Sequence, residues 1–140
     1  MQRPQPTEIL SVNSVDFSHA DIFQVVDTFY SRVPQNPELA VPFQSVHDWP
    51  EHIERLTHFW WTRFGGEAYM FAEYNPVGKH YYAGFNQHLL KIWLGLFHEV
   101  ITEKLKPDQA QLWKVISERM GQGLSAKNEM MKQYMEREKK

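Results

Sequence analysis

Seven histidines and no cysteine set the terms for any chemistry that this 140-residue chain could carry out. Without a thiol there is no thiolate ligation, no cysteine nucleophile and no disulfide, so a transition metal would have to be held by imidazole, carboxylate or phenol oxygen. A carboxylate-bridged di-metal site asks for Glu-x-x-His pairs on separate helices; the nearest approaches, Glu51-His52 and His98-Glu99, have the wrong spacing. A hydrolytic zinc site asks for a His-x-x-x-His pair or a similar set on one helical face. His52 and His58 are six apart and point to different sides of a helix.

A third arrangement needs only one imidazole. His80, in NPVGKHYYAGFNQHLLKIWLGLF, follows a Pro-Gly turn, and thirteen residues later Trp93 opens a run of large apolar side chains. An axial histidine, a flat apolar slot and polar groups facing a bound gas make the haem scheme. Pro76 and Gly78 suit a short, positioned segment that leaves one ring nitrogen of His80 free for iron. The opposite wall needs donors, because a gas bound to iron takes on partial negative charge that a buried donor stabilises better than water does. Tyr30 and Trp93 fall on core-facing helical positions and must use their O–H and N–H somewhere, and His52 could gate the same pocket. Taken singly, each is first a packing or solvated residue. The case rests on their joint placement on three helices with His80.

Those helices can be read from spacing. Ser18 and Asp21 look like a capped helix start, after which Ile22, Val25, Val26, Phe29, Tyr30 and Val33 recur at helical spacing until Pro34. Asp48 caps a second helix, with Pro50 in its first turn and Glu51 at capping-box spacing; Trp49, Ile53, Leu56, Phe59, Trp60 and Phe64 form its apolar face and Gly65-Gly66 ends it. A third is expected from about Asn86 to Leu105 and a fourth from about Pro107 to the tail, with Leu112, Ile116, Met120 and Leu124 four apart. Gly121 and Gly123 inside the fourth mark a close crossing or a weak point. Residues 34–47 hold three prolines and must turn. Residues 1–16 read as a loose arm with a short helix over Glu8 to Asn13, and no strand pattern competes anywhere. Trp61 and Tyr69 fall off the expected core faces. The reading is one all-α domain over residues 1–140, with 126–140 the polar end of the last helix.

Four segments carry a family resemblance: DTFYSRV, then PF followed by DWPEHIERLTHFW, then YNPVGKH, then HLLKIWLGLF. Over roughly residues 18–125 the chain resembles the truncated haemoglobins, the short globins of bacteria and plants, and its HFW and WLGLF elements look most like the third subgroup. The resemblance implies a globin-like two-over-two helical sandwich around haem b. It implies His80 as the proximal iron ligand, Tyr30 and Trp93 as distal donors, His52 and Leu56 as distal helix residues over the iron, and Phe43 packed on the porphyrin edge. Phe29 and Phe97 would line the cofactor, and Arg55 would pair with a haem propionate at the rim. His88, at the start of the third helix, is the rival for iron.

The function expected is binding of oxygen, nitric oxide or another diatomic ligand. A donor-rich pocket implies slow release, which suits oxygen and nitric oxide chemistry better than delivery. Nitric oxide dioxygenase or peroxidase-like turnover would need a separate reductase, since no nucleotide-binding signature is present. The alternative is a haem-based sensor or interaction module without turnover. A net charge of −2 with interspersed acids and bases argues against nucleic acid. No segment reaches the roughly 18 apolar residues of a membrane span, and the start lacks the order of a signal peptide. A cytoplasmic location is expected.

Overall fold

The computed structural model describes residues 2–44, 46, 48–70 and 87–138, the side chains of 124–129 and 131–138 excepted. Helix α1 spans His19–Arg32, α2 Pro37–Ala40, α3 Trp49–Arg63, α4 Gln87–Lys104 and α5 Pro107–Glu138, and a single 3-10 turn, Val33–Gln35, follows α1. α1 packs on α3, α4 packs on α5, and the two pairs meet where α1 crosses α4. The result is the helical sandwich expected, all-α among the described residues apart from one small hairpin.

The helix ends follow the sequence signals. Ser18 accepts from the amide of Asp21 and Asp21 accepts from the amide of Ser18, each at 3.0 Å, so α1 begins with a closed capping box. Asp48 accepts from the amide of Glu51 at 3.1 Å at the start of α3. At the other end Gly65 takes φ +100°, and the amides of Gly66 and Gly65 reach back to the carbonyls of Trp61 and Thr62 at 2.9 and 3.0 Å. That pair of bonds is the Schellman terminator, which needs a residue tolerant of left-handed backbone. The buried face of α1 is the expected one: Ile22, Val25, Val26, Phe29, Tyr30 and, just beyond, Val33.

The N-terminal segment departs from expectation. In place of a short helix over Glu8 to Asn13, β1 (Ile9–Val12) pairs antiparallel with β2 (Val15–Ser18), with Val12 opposite Val15. Asn13 and Ser14 turn the chain with φ of 49° and 66°, the two positive values that a two-residue primed turn requires. Leu10, Val12, Val15 and Phe17 alternate with polar residues, and this period of two puts them all on the core side. Phe17 is fully buried and stacks on Phe64 at 4.9 Å. The strand leads directly into α1, whose first amides, those of His19 and Ala20, donate to the carbonyls of Glu8 and Pro6 at 2.9 and 3.0 Å.

This covering explains a second departure. Trp61 and Tyr69, expected off the core faces, are 2% and 7% exposed. Trp61 lies edge-on to His19, 5.1 Å between ring centroids, and a Cβ on Gly66 would fall 2.3 Å from its indole nitrogen. α3 is therefore buried on two faces, one against α1 and one beneath the N-terminal segment and the Gly66 turn. In α5 the deepest positions are Ala110, Trp113 and Ser117, one residue along from the expected row; Leu112, Ile116 and Met120 are only partly buried. Gly121 does mark a close crossing, since a Cβ there would meet Leu90 Cδ1 at 2.7 Å. Gly123 has nothing within 4 Å.

Candidate functional site

Tyr30 ends the buried face of α1, and its position in the last turn sets what surrounds it. Its ring meets Phe29 at 4.7 Å, His52 at 5.2 Å, Phe43 at 5.8 Å and Trp49 at 6.3 Å. These neighbours come from the turn after α2 and from the first turn of α3. The Asp48 cap fixes that turn, and spacing of three puts Trp49 and His52 on one side of it, 5.6 Å apart. Phe43 closes the group, 6.4 Å from Trp49 and 6.2 Å from His52. A phenylalanine on a proline-rich turn thus has its packing partners.

From the far side α4 brings Trp93, which stacks on Phe97 at 4.8 Å and meets Phe29 edge-on at 5.3 Å. Its indole N–H donates to the Tyr30 hydroxyl. Tyr30 is deeply buried, and the loss of water pushes its phenol well above the ordinary range, only partly offset by the Trp93 bond. The hydroxyl therefore stays protonated. With Trp93 donating to its oxygen, the Tyr30 proton is available to a third group.

α3 and α4 both lean on α1 more than on each other. They meet through Trp60 and Phe97, stacked at 5.7 Å. Beyond that contact each helix carries half-buried side chains, His52 and Leu56 on α3 and Leu89, Ile92, Trp93 and Leu96 on α4. Arg55 lies beside Leu56, also half-buried.

Tyr30, Trp93, His52, Phe43, Phe29 and Phe97 are thus gathered by the fold, with Leu56 one turn past His52. His80 lies outside the described residues. His88, the rival ligand, is exposed on the first turn of α4 with its Nε2 against the carboxylate of Glu38 in α2. Trp49 was not singled out from sequence as a site residue; its spacing of three from His52, directly after the cap, was the signal. Among the described residues no three His, Asp or Glu side chains gather where they could hold a metal ion.

On the opposite side of α3 lies a second buried polar group. The Tyr69 amide donates to His58 Nε2 at 3.1 Å, and the Tyr69 hydroxyl lies 2.9 Å from His19 Nε2. An amide N–H can only donate, so His58 is neutral with its proton on Nδ1. Burial lowers the pKa of both histidines; the nearby Arg3 adds to this for His19, and Glu54 opposes it for both.

Two helix pairs that cross where α1 meets α4, with Tyr30, Trp93 and their neighbouring rings gathered beside the crossing, make the arrangement of a globin. The chain belongs to the bacterial-like globin family, whose sequence profile matches residues 18–122. Among solved structures it is similar to a group III truncated hemoglobin from Campylobacter jejuni, with a TM-score of 0.69 at 20% identity, covering 84% of this chain and 94% of that one. No curated protein matches it. Among the described residues no helix is long and apolar enough to cross a membrane.

Proposed function

We propose that the chain binds haem b between α3 and α4, that His80 would hold its iron, and that a diatomic gas would sit on the face lined by Tyr30, Trp93 and His52. The observation that carries this reading is the gathering of His52, Phe43 and Phe29 around the buried Tyr30 phenol, at 5.2, 5.8 and 4.7 Å, with Trp93 against Phe29 at 5.3 Å. A phenol in a dry pocket, fixed by a donor on its oxygen, costs free energy unless its own proton finds an acceptor.

The residues fit the group. The aromatic faces of Phe43 and Trp93 and the side chain of Leu56 suit the flat macrocycle, and Phe29 and Phe97 back them. Arg55, half-buried on α3, is within the chemistry of a propionate partner. The haem supplies the iron to which a gas binds. The chain supplies the rest. Tyr30 would donate to the partial negative charge that the ligand takes on, Trp93 would orient Tyr30, His52 stands beside Tyr30, and the surrounding rings exclude water so that each donor acts in a low dielectric.

A ligand held by these donors leaves slowly. Oxygen, or oxygen with nitric oxide, is the substrate class that such retention suits, with electrons from a separate reductase. Tyr30→Phe should raise the oxygen dissociation rate by roughly 5- to 150-fold, the equivalent of about 1–3 kcal/mol for one buried hydrogen bond. Trp93→Phe should raise it less, because it acts through Tyr30. Stopped-flow displacement by carbon monoxide reads both rates, and unchanged rates in both variants would overturn the assignment of the donors.

A further inference from the structure

The aromatic group around Tyr30 does not stop at the pocket. Trp49 is half-buried at the rim, in ring contact with Tyr30 at 6.3 Å and with His52 at 5.6 Å. Tyrosine and tryptophan are the side chains most easily oxidised by one electron, and three of them, Trp93, Tyr30 and Trp49, lead from the α4 wall outward. A second branch leads inward, from Trp93 through the stacked Phe97 to Trp60, and from Trp60 to Trp113 at 5.3 Å.

The two branches differ in where a proton can go. Oxidised tryptophan and tyrosine are far stronger acids than the parent side chains, and a radical settles where the proton released has an acceptor. Trp113 is fully buried and its Nε1 has no hydrogen-bond acceptor among the described residues. Tyr30 is buried where charge is penalised, and the Trp93 N–H is committed to the Tyr30 oxygen, which cannot take a second proton. Trp49, at the rim, can release its indole proton to water. Oxidising equivalents arising in the pocket are therefore drawn outward.

We propose that Trp49 is a surface redox site, through which the pocket takes electrons one at a time from small donors of the phenol or ascorbate class when hydrogen peroxide is the oxidant. The proposal rests on the haem reading given above. Each peroxide accepts two electrons and two protons and leaves as two waters. Each electron comes from Trp49, by way of Tyr30, with one indole proton, leaving a neutral indolyl radical. One external donor then returns an electron and a proton to Trp49, so two donor molecules are oxidised per peroxide.

The test is spin trapping with a nitrone on the haem-reconstituted full chain treated with equimolar hydrogen peroxide, followed by peptide mass spectrometry. The expected result is an adduct predominantly on Trp49, suppressed by a phenol, with the adduct moving to Tyr30 or Trp93 and haem bleaching per peroxide rising several-fold in Trp49→Phe. Trp60→Phe should leave the Trp49 adduct in place. A Soret band with the adduct predominantly on any other residue, or with no adduct at all, overturns the role of Trp49 and leaves the haem reading standing. A chain that takes up no haem overturns both.

Discussion

At the scale of residues, the meeting of Tyr30 and Trp93 in one aromatic group was legible because helical spacing alone turns both toward the core, and a buried hydroxyl or indole must bond to something. Trp61, His58 and Tyr69 were not legible. Their burial depends on a segment far away in sequence folding over the outer face of α3, and periodicity within one helix cannot report that. This second group carries its own pH dependence. His19 and His58 are buried neutral, with pKa values lowered from 6.5 by burial first. Below pH 6.5 the unfolded chain binds more protons at these residues than the folded one, so their contribution is fully present above that pH and is lost as pH falls toward the folded values. Protonating His58 also puts a second donor against the Tyr69 amide. Urea unfolding should show stability falling between pH 7.5 and pH 5.5, with a shallower fall in His58→Gln, whose amide oxygen can accept without titrating. An identical fall in that variant would contradict the assignment.

Among the elements, caps and stops were the clearest part of the sequence, since Ser18, Asp48 and Gly65 each answer a local need of unpaired backbone groups. The hairpin was missed for an equally local reason: Asn13-Ser14 lacks the glycine that usually signals a primed turn, and four-residue strands give the alternation little length. The register of α5 was off by one residue because its deep face includes Ala110, Ser117 and a glycine, residues that an apolar pattern does not count. The two glycines of that helix separate packing from propensity. Gly123 faces open space, so Gly123→Ala should stabilise the fold by up to about 1 kcal/mol, the ordinary helical advantage of alanine. Gly121→Ala gains the same propensity but pushes on Leu90 Cδ1 at 2.7 Å, so its net effect should be smaller or destabilising. Chemical unfolding of both variants measures the difference, and equal gains would mean that the α4–α5 crossing is looser than it is described.

For the molecule as a whole, the four long helices were readable because each carries an apolar stripe at helical spacing, whereas their two-over-two pairing came only with the family resemblance, since the links between them are too long to fix which helices pack. What spacing could not supply is where the helices meet. α3 and α4 both pack on α1 and meet each other through Trp60 and Phe97, and the half-buried side chains beyond that point are what a haem would cover. Whether a haem binds there, and which histidine holds it, decides the function of the chain. The measurement that decides this is the absorption spectrum of the purified protein, ferric and dithionite-reduced, compared with His80→Ala and His88→Ala variants. The expected result is a Soret band with a broad, five-coordinate ferrous band in the visible, lost or changed in His80→Ala and retained in His88→Ala. No Soret band after reconstitution with haem, or a spectrum that His80→Ala leaves unaltered, would contradict it.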